Sequence, residues 1–319
     1  MNTYKVYLAP MDGVTDPPFR KILCRHGGYD ISFTEFLRVT DVPILEKAIL
    51  RDVPELRFGG KTEDGTPIRV QLLGDHPGAM AATAVAAVKL GAQSIDINFG
   101  CPSRFVHHSG SMLLAEPELL HTIVSTVRDH LPAEIPLSVK IRSGFADKKE
   151  APDIVKAIAI PGVSEIIMHC RTRKELYKRD CIDWTVLEPF SAEYPDINFV
   201  ANGEINSLSD AVACEAQSHC TTFMTGRGAI AIANLGYVIK EKGLPYDTVK
   251  TLNVLLEIMN EFVEMDAEPR IVLNRAKQFL GYARKANHEL AEFFCVFCRS
   301  EDLNNSFKLT EKFLTRIGK

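Results

Sequence analysis

Eight short runs rich in β-branched residues, each followed by a stretch long enough for a helix and a return loop, constrain the fold of this chain more than any other feature. They are YKVYLAP (4–10), DISFTEF (30–36), IRVQLLG (68–74), SIDINFG (94–100), LSVKIRS (137–143), EIIMHCR (165–171), NFVANGE (198–204) and TTFMTGR (221–227). Between them, PGAMAATAVAAVKLG, PELLHTIVSTVRDHL, APDIVKAIAI and SLSDAVACEAQS carry apolar residues at helical spacing. Several open with proline, which suits a first turn whose N–H has no helical partner. Strand and helix alternating eight times predict a closed (β/α)8 TIM barrel, with a doubly wound open sheet as the rival. After about Leu244 the strand signals fade, and four apolar-periodic segments predict a C-terminal helical bundle. The GLPYD stretch punctuates the change, so residues 1–244 are assigned to the barrel and 245–319 to a helical domain.

Barrel enzymes build their sites from the loops at the C-terminal ends of the strands. Polar residues and glycines gather there in this chain: Met11-Asp12-Gly13, Thr34-Glu35, Gln71, Asn98 to Cys101, Lys140, His169-Cys170-Arg171, Asn202-Gly203-Glu204 and Gly226-Arg227-Gly228. Glycine and asparagine turn chains in any protein, so one such loop decides nothing. Eight together describe a ring converging on one mouth. The loops after the last two strands, ANGEI and MTGRGAI, suit a phosphate: glycine lets backbone N–H groups approach, a helical turn follows, and Arg227 offers a planar fork. Lys140 sits on the face of its strand opposite Val139 and Ile141, so its ammonium either snorkels or holds an anion. The pyrimidine edge of a reduced flavin is an anion that suits it. Gln71 and His169 can bond a ring edge or a phosphate, or serve as satisfied core groups.

With 319 residues, 46% of them hydrophobic, the chain can bury a large core. No apolar run reaches the ~18 residues that span a bilayer, and MNTYKVYLAP lacks the pattern of an export signal, so a cytoplasmic protein without a membrane partner is expected. Eight scattered cysteines are expected to be free thiols. Cys295 and Cys298 form a CxxC inside an apolar helical run and are expected to pack in the core. No HxH or carboxylate cluster marks a metal site. A net charge of −4 predicts no global field for nucleic acid, so any such surface is local.

LAPMDGVTDPPFR, NFGCPS with its downstream SG, SVKIRSG, MHCRTR, VANGEI and MTGRGAI, in this order and along essentially the whole chain, resemble the tRNA-dihydrouridine synthases. The resemblance implies an FMN-binding barrel that uses NADPH, or NADH, to reduce the C5=C6 bond of selected uridines in tRNA, acting as a monomer. Carried over position by position, the flavin contacts are Pro10, Met11, Asp12, Gln71, Lys140 and His169. The phosphate lies against Asn202, Gly203, Glu204, Gly226 and Arg227.

Saturating the uracil double bond takes a hydride at C6 and a proton at C5 from the opposite face, so a proton donor must be held at the mouth. Cys101, between Gly100 and Pro102, is placed to be that donor, because an unperturbed thiol with a pKa of ~8.5 is still protonated near neutrality. The rival roles are a covalent nucleophile with His107 or His108 as base, and a small buried hydrophobe. The loop departs from the family pattern at Arg104, Ser111 and Met112, and Cys170 stands where glycine is usual.

The segment PRIVLNRAKQFLGYARK carries five basic residues and no acidic ones, and Arg270, Lys277 and Arg284 recur every seven residues, which predicts a shared helix face for RNA or solvent. TEFLRV and NRAKQFLGYARK resemble the dihydrouridine synthase C subfamily, which implies the D-loop uridine at position 16 as target. The matching tRNA-binding positions are Arg38, Arg275, Lys277 and Tyr282, with Asn98 and Tyr177 on the nucleotide itself. The competing functions are the same reaction at another tRNA uridine, an FMN barrel dehydrogenase acting on a free pyrimidine, and a non-catalytic tRNA-binding protein.

Overall fold

The computed structural model describes residues 4–103 and 108–318. Among these residues one parallel sheet contains β1 (Lys5–Leu8), β2 (Ile31–Phe33), β3 (Leu37–Arg38), β4 (Ile68–Leu73), β5 (Ile95–Phe99), β6 (Leu137–Arg142), β7 (Val163–His169), β8 (Asn198–Asn202) and β9 (Thr222–Thr225). β1 pairs with both β2 and β9, and β2 pairs with β4, so the sheet closes on itself. The open-sheet rival is thereby excluded, and the fold is a TIM barrel of eight principal strands. β3 is a two-residue extension after β2, pairing Leu37 with Leu72 and Arg38 with Leu73.

The two-residue period of the strands sorts their side chains. Val70, Leu72, Ile95, Ile97, Val139, Ile141, Ile166 and Met168 belong to the large core shared with the helices. The alternate positions Tyr7, Phe33, Ile167, Val200 and Met224 form a separate cluster inside the barrel. Polar residues share that interior. Arg69 of β4 pairs with Glu165 of β7, and Glu165 also accepts from Tyr7 Oη at 2.7 Å and Asn198 Nδ2 at 2.9 Å. β4 and β7 are not neighbours in the sheet, so this ion pair spans the lumen.

Burial alone would raise the Glu165 carboxyl, but the Arg69 charge and the hydrogen bonds outweigh it and hold the group below the usual carboxylate range. A lowered folded-state value means that this stabilisation is present at neutral pH and is lost as pH falls through that value. Glu165→Gln leaves the buried guanidinium without its counter-charge and is expected to destabilise the protein by about 3–5 kcal/mol, read from urea unfolding at pH 7.

The chain after the barrel forms helices Thr248–Glu264, Pro269–Ala286, Leu290–Phe297 and Leu303–Ile317. Asp247 and Asp302 cap the first and last through the amides of Lys250 and Asn305, and Pro269 opens the second at its first turn. Helix 269–286 lies against the barrel, with the Phe19 and Phe279 ring centroids 6.3 Å apart. All eight cysteines are free. The expectation of core packing for the CxxC fails at Cys295, which is exposed, because helix 290–297 buries Leu290, Phe293 and Phe297 instead. No helix among the described residues is long and apolar enough to cross a membrane.

Candidate active site

A cavity of about 590 Å³ opens at the C-terminal ends of the strands, within the range of small-molecule sites. Its wall is built from Pro10, Met11 and Asp12 after β1, Asn98 and Gly100 to Ser103 at the end of β5, Lys140 and Arg142 on β6, and His169 on β7. Asn202 to Asn206 follow from β8 and Thr225 to Arg227 from β9, while Tyr177 and Tyr282 reach it from outside the sheet.

Cys101 stands half-buried on this wall, at the point where β5 ends. Its amide and that of Gly100 both donate to Asn98 Oδ1, at 3.0 and 2.8 Å. Its carbonyl accepts from Ser111, whose amide is at 3.0 Å and hydroxyl at 2.8 Å. Gly110 (φ +60°) brings this loop back against the cysteine so closely that a Cβ there would lie 2.9 Å from the Cys101 carbonyl oxygen. Burial, joined by Asp12, pushes the thiol up from its ordinary value, so it is protonated at neutral pH.

Lys140 is buried, and desolvation, with Arg142 beside it, pushes its ammonium down to about 8. Its Nζ donates to Asn202 Oδ1 at 3.1 Å, and Asn202 Nδ2 donates to the Met224 carbonyl at 2.8 Å, so the lysine is steered from the β8 side. His169 is held well below its ordinary pKa by burial and by Arg142, Lys140, Arg171 and Arg227, and is therefore neutral. Arg171 Nη1 lies 3.3 Å from His169 Nε2; a guanidinium only donates, so Nε2 accepts and the ring proton sits on Nδ1. Glu204 accepts from Arg171 at 3.0 Å and from Arg227 at 2.6 Å, tying the ends of β7, β8 and β9 together.

The pattern of one protein family matches residues 7–314, under the description dihydrouridine synthase. The chain belongs to the dihydrouridine synthase family. This synthase is 40% identical over 295 residues to the tRNA-dihydrouridine(16) synthase of Haemophilus influenzae, with 91% of this chain and 94% of that protein covered. It is 41% identical to the protein of that name from Shewanella oneidensis, covering 91% and 92%. Among solved structures, a DHODH from Eimeria tenella in complex with ferulenol superposes with a TM-score of 0.57 at 13% identity, covering 79% of this chain and 81% of that one. The histamine dehydrogenase of Rhizobium sp. 4-9 gives a TM-score of 0.54 at 11% identity, covering 81% and 49%. These two likenesses concern the barrel fold alone.

Most of the residues expected to hold a flavin do converge on the cavity: Pro10, Met11, Asp12, Lys140, His169, Asn202, Gly203, Glu204, Gly226 and Arg227 all line it. Gln71 does not. It is fully buried beneath the floor, with Nε2 donating to Asp96 at 2.7 Å and Oε1 accepting from Asn98 at 2.8 Å. Of the residues expected to bind RNA, Asn98, Tyr177 and Tyr282 line the cavity, and Tyr177 is half-exposed under the Arg142 and Arg227 guanidinium groups. Arg38 is exposed on β3, away from that wall.

Lys277 donates to the Ser300 carbonyl at 2.9 Å, and Arg284 stacks over Phe294 at 4.1 Å. The seven-residue repeat therefore does not form one free basic face, because two of its three members hold the helical tail to itself. Arg275 is a clamp. Its guanidinium donates to the Gly13 and Val14 carbonyls at 2.6 and 2.7 Å and pairs with Asp16 at 2.6 Å, fixing the loop that carries Pro10 to Asp12. Arg275→Lys loses the planar fork and is expected to destabilise the protein by about 2 kcal/mol in urea unfolding.

Of three further residues that hold the site, one is missed by the sequence reading and two are noted there without their contacts. Arg142 donates to the Gly100 carbonyl at 2.8 Å and to the Leu176 carbonyl at 2.8 Å, bridging the cysteine loop and the Tyr177 loop. Its signal was present, since it lies two residues after Lys140 on the same strand face. Arg171 follows His169 by two residues, just past the end of β7, and is among the mouth residues read from the sequence. Ser111, noted only as a departure, holds the cysteine carbonyl. Cys170 packs behind the sheet, fully buried, and its thiol is pushed well above the ordinary range by that burial. His108 is exposed and held between Asp75 at 3.1 Å and Glu116 at 2.9 Å. His107 and Arg104 lie outside the described residues.

Proposed function

We propose that this dihydrouridine synthase reduces the C5=C6 bond of a D-loop uridine of tRNA, at position 16, to 5,6-dihydrouridine, with FMN as cofactor and NADPH as reductant. The observation that carries this reading is the protonated Cys101 thiol on one wall of a cavity whose other wall holds a buried lysine and a neutral histidine. The target position is supported by the relatives, which carry position 16 in their names and match nine-tenths of this chain.

The residues present fit a flavin mononucleotide. Among the described residues the buried Lys140 ammonium has one hydrogen-bond partner, the Asn202 amide oxygen, so it is poised for an anion and would meet the anionic pyrimidine edge of the ring. His169 offers its Nδ1–H. At Gly203 a Cβ would come within 2.6 Å of Ile182 Cδ1 and 2.8 Å of the His169 ring, and at Gly226 within 3.2 Å of Met11 Sδ, so packed side chains of the site require glycine at both positions. Arg227, about half exposed, and the backbone from Gly226 onward would grip the phosphate. A bound flavin supplies the hydride that adds at C6.

The chain's own work is to place the base and deliver the second hydrogen. The Cys101 S–H bond breaks as its proton moves to C5, and the thiolate left behind recovers a proton from solvent. Tyr177 and Tyr282 at the rim give aromatic faces for an extruded nucleotide, because a base inside folded tRNA is otherwise out of reach.

The test is an unmodified transcript assayed beside free uridine and beside a transcript with cytidine at position 16. Product on the first alone supports the reading. Turnover of free uridine at a comparable rate identifies a free-pyrimidine dehydrogenase instead, and product on the position-16 cytidine transcript moves the target elsewhere.

A further inference from the structure

Beneath the cavity floor, a line of buried side chains has a polarity with one solution. Gly100 and Cys101 both point backbone N–H groups at Asn98 Oδ1, at 2.8 and 3.0 Å. Two donors on one atom require the amide oxygen there, so the Asn98 nitrogen faces the other way and donates to Gln71 Oε1 at 2.8 Å. The Gln71 nitrogen then donates to Asp96 Oδ2 at 2.7 Å, and Asp96 Oδ1 accepts from Ser138 Oγ at 2.5 Å. Asn98 is 6% exposed and the other three side chains are fully buried, so water cannot replace any of these partners.

An amide turned end for end keeps its shape and exchanges its donor for its acceptor. Here both ends forbid the exchange: two peptide N–H groups at the top, a carboxylate at the bottom. We propose that Asp96 and Gln71 are positioning residues for the Cys101 thiol, the carboxylate orienting the Gln71 and Asn98 amides so that an acceptor always faces the turn that bears the cysteine. With Ser111 bonded to the carbonyl on the other side, the Cys101 peptide is held at both its N–H and its C=O. The line spans β4, β5 and β6, so the orientation of the thiol is tied to the barrel interior rather than to the loop alone.

Asn98→Asp places a carboxylate at each end of one glutamine amide, which has a single donor end, so one carboxylate faces the Gln71 oxygen. Asp96→Asn added to it restores every bond with the line reversed: Gln71 Nε2 donates upward to residue 98, and the new asparagine donates upward to Gln71 Oε1 while still accepting from Ser138. The readout is the rate at which iodoacetamide alkylates Cys101 in the full-length protein, followed by peptide mass spectrometry at pH 7. The single variant is expected to shift that rate at least tenfold, and the double variant to return it to within threefold of the original. A single variant that alkylates at the original rate overturns the proposal, as does a double variant that fails to fold or keeps the shifted rate.

The consequence for turnover rests on the reading of Cys101 as proton donor. Asn98 also lines the nucleotide cavity, so turnover is read on the unchanged protein: a thiol rate that responds to the variants while the unchanged protein lacks activity on tRNA would sink that reading and leave the positioning line standing.

Discussion

Replacing Cys101 with alanine is expected to lower dihydrouridine formation on a tRNA transcript by about 10²- to 10⁴-fold, the range a positioned general acid contributes, while flavin content stays at the level of the unchanged protein. The size of the effect follows from geometry. No other acidic hydrogen of the described residues is bound into the β5 turn as this one is, with its peptide held by Asn98 and Ser111. The pH dependence has a definite sign. Burial raises the thiol, so the acid form is retained across the neutral range, and turnover should decline only as pH climbs through that raised value. A nucleophilic cysteine would show the opposite slope, gaining activity as the thiolate appears. Single-turnover rates measured from pH 6 to 10 separate the two.

Lys140→Met is the second large effect, and it runs in two directions. In the flavin-free protein the ammonium is buried with one amide oxygen as its hydrogen-bond partner, and its pKa of about 8 records how poorly that site tolerates the charge. A lysine whose folded-state value lies below its unfolded value of ~10.4 opposes folding while it is charged, and that opposition is relieved as pH rises through the window between the two. Methionine fills similar volume without charge, so the flavin-free variant is expected to be more stable at pH 7 by about 2 kcal/mol in urea unfolding. The same substitution removes the cation facing the ligand. Flavin retention and turnover are expected to fall at least ~10²-fold, the magnitude of losing one preorganised electrostatic partner. A variant that is no more stable when flavin-free, or that keeps its flavin and its rate, would show that Lys140 is an ordinary snorkelling lysine.

Much of this architecture was legible in the chain because the two-residue period of a strand is blind to long-range detail. SVKIR tells which side chains share a face, and Lys140 and Arg142 do emerge together inside the barrel. What alternation does not encode is depth. Gln71 lies on the inward face of β4 just as Lys140 does on β6, yet it sits one layer lower and bonds Asp96 and Asn98 instead of meeting the cavity. The helical tail was harder for a different reason. A basic residue on a helix reads alike whether it faces solvent, RNA or another part of the protein, and only tertiary packing showed that Arg275 grips the loop at Gly13 and Val14, some 260 positions earlier. Ser111 reads from the sequence only as a departure from the family pattern. Its hydroxyl proves to bond the cysteine carbonyl, a contact that depends on how the loop folds back at Gly110.

The whole account stands on a flavin seated among Lys140, His169, Gly203 and Gly226. The most direct measurement is to purify the full chain, denature it, and identify any released chromophore by absorbance and mass. About one FMN per chain, regained when the stripped protein is incubated with FMN, is the predicted result. A colourless protein that takes up no FMN would contradict it.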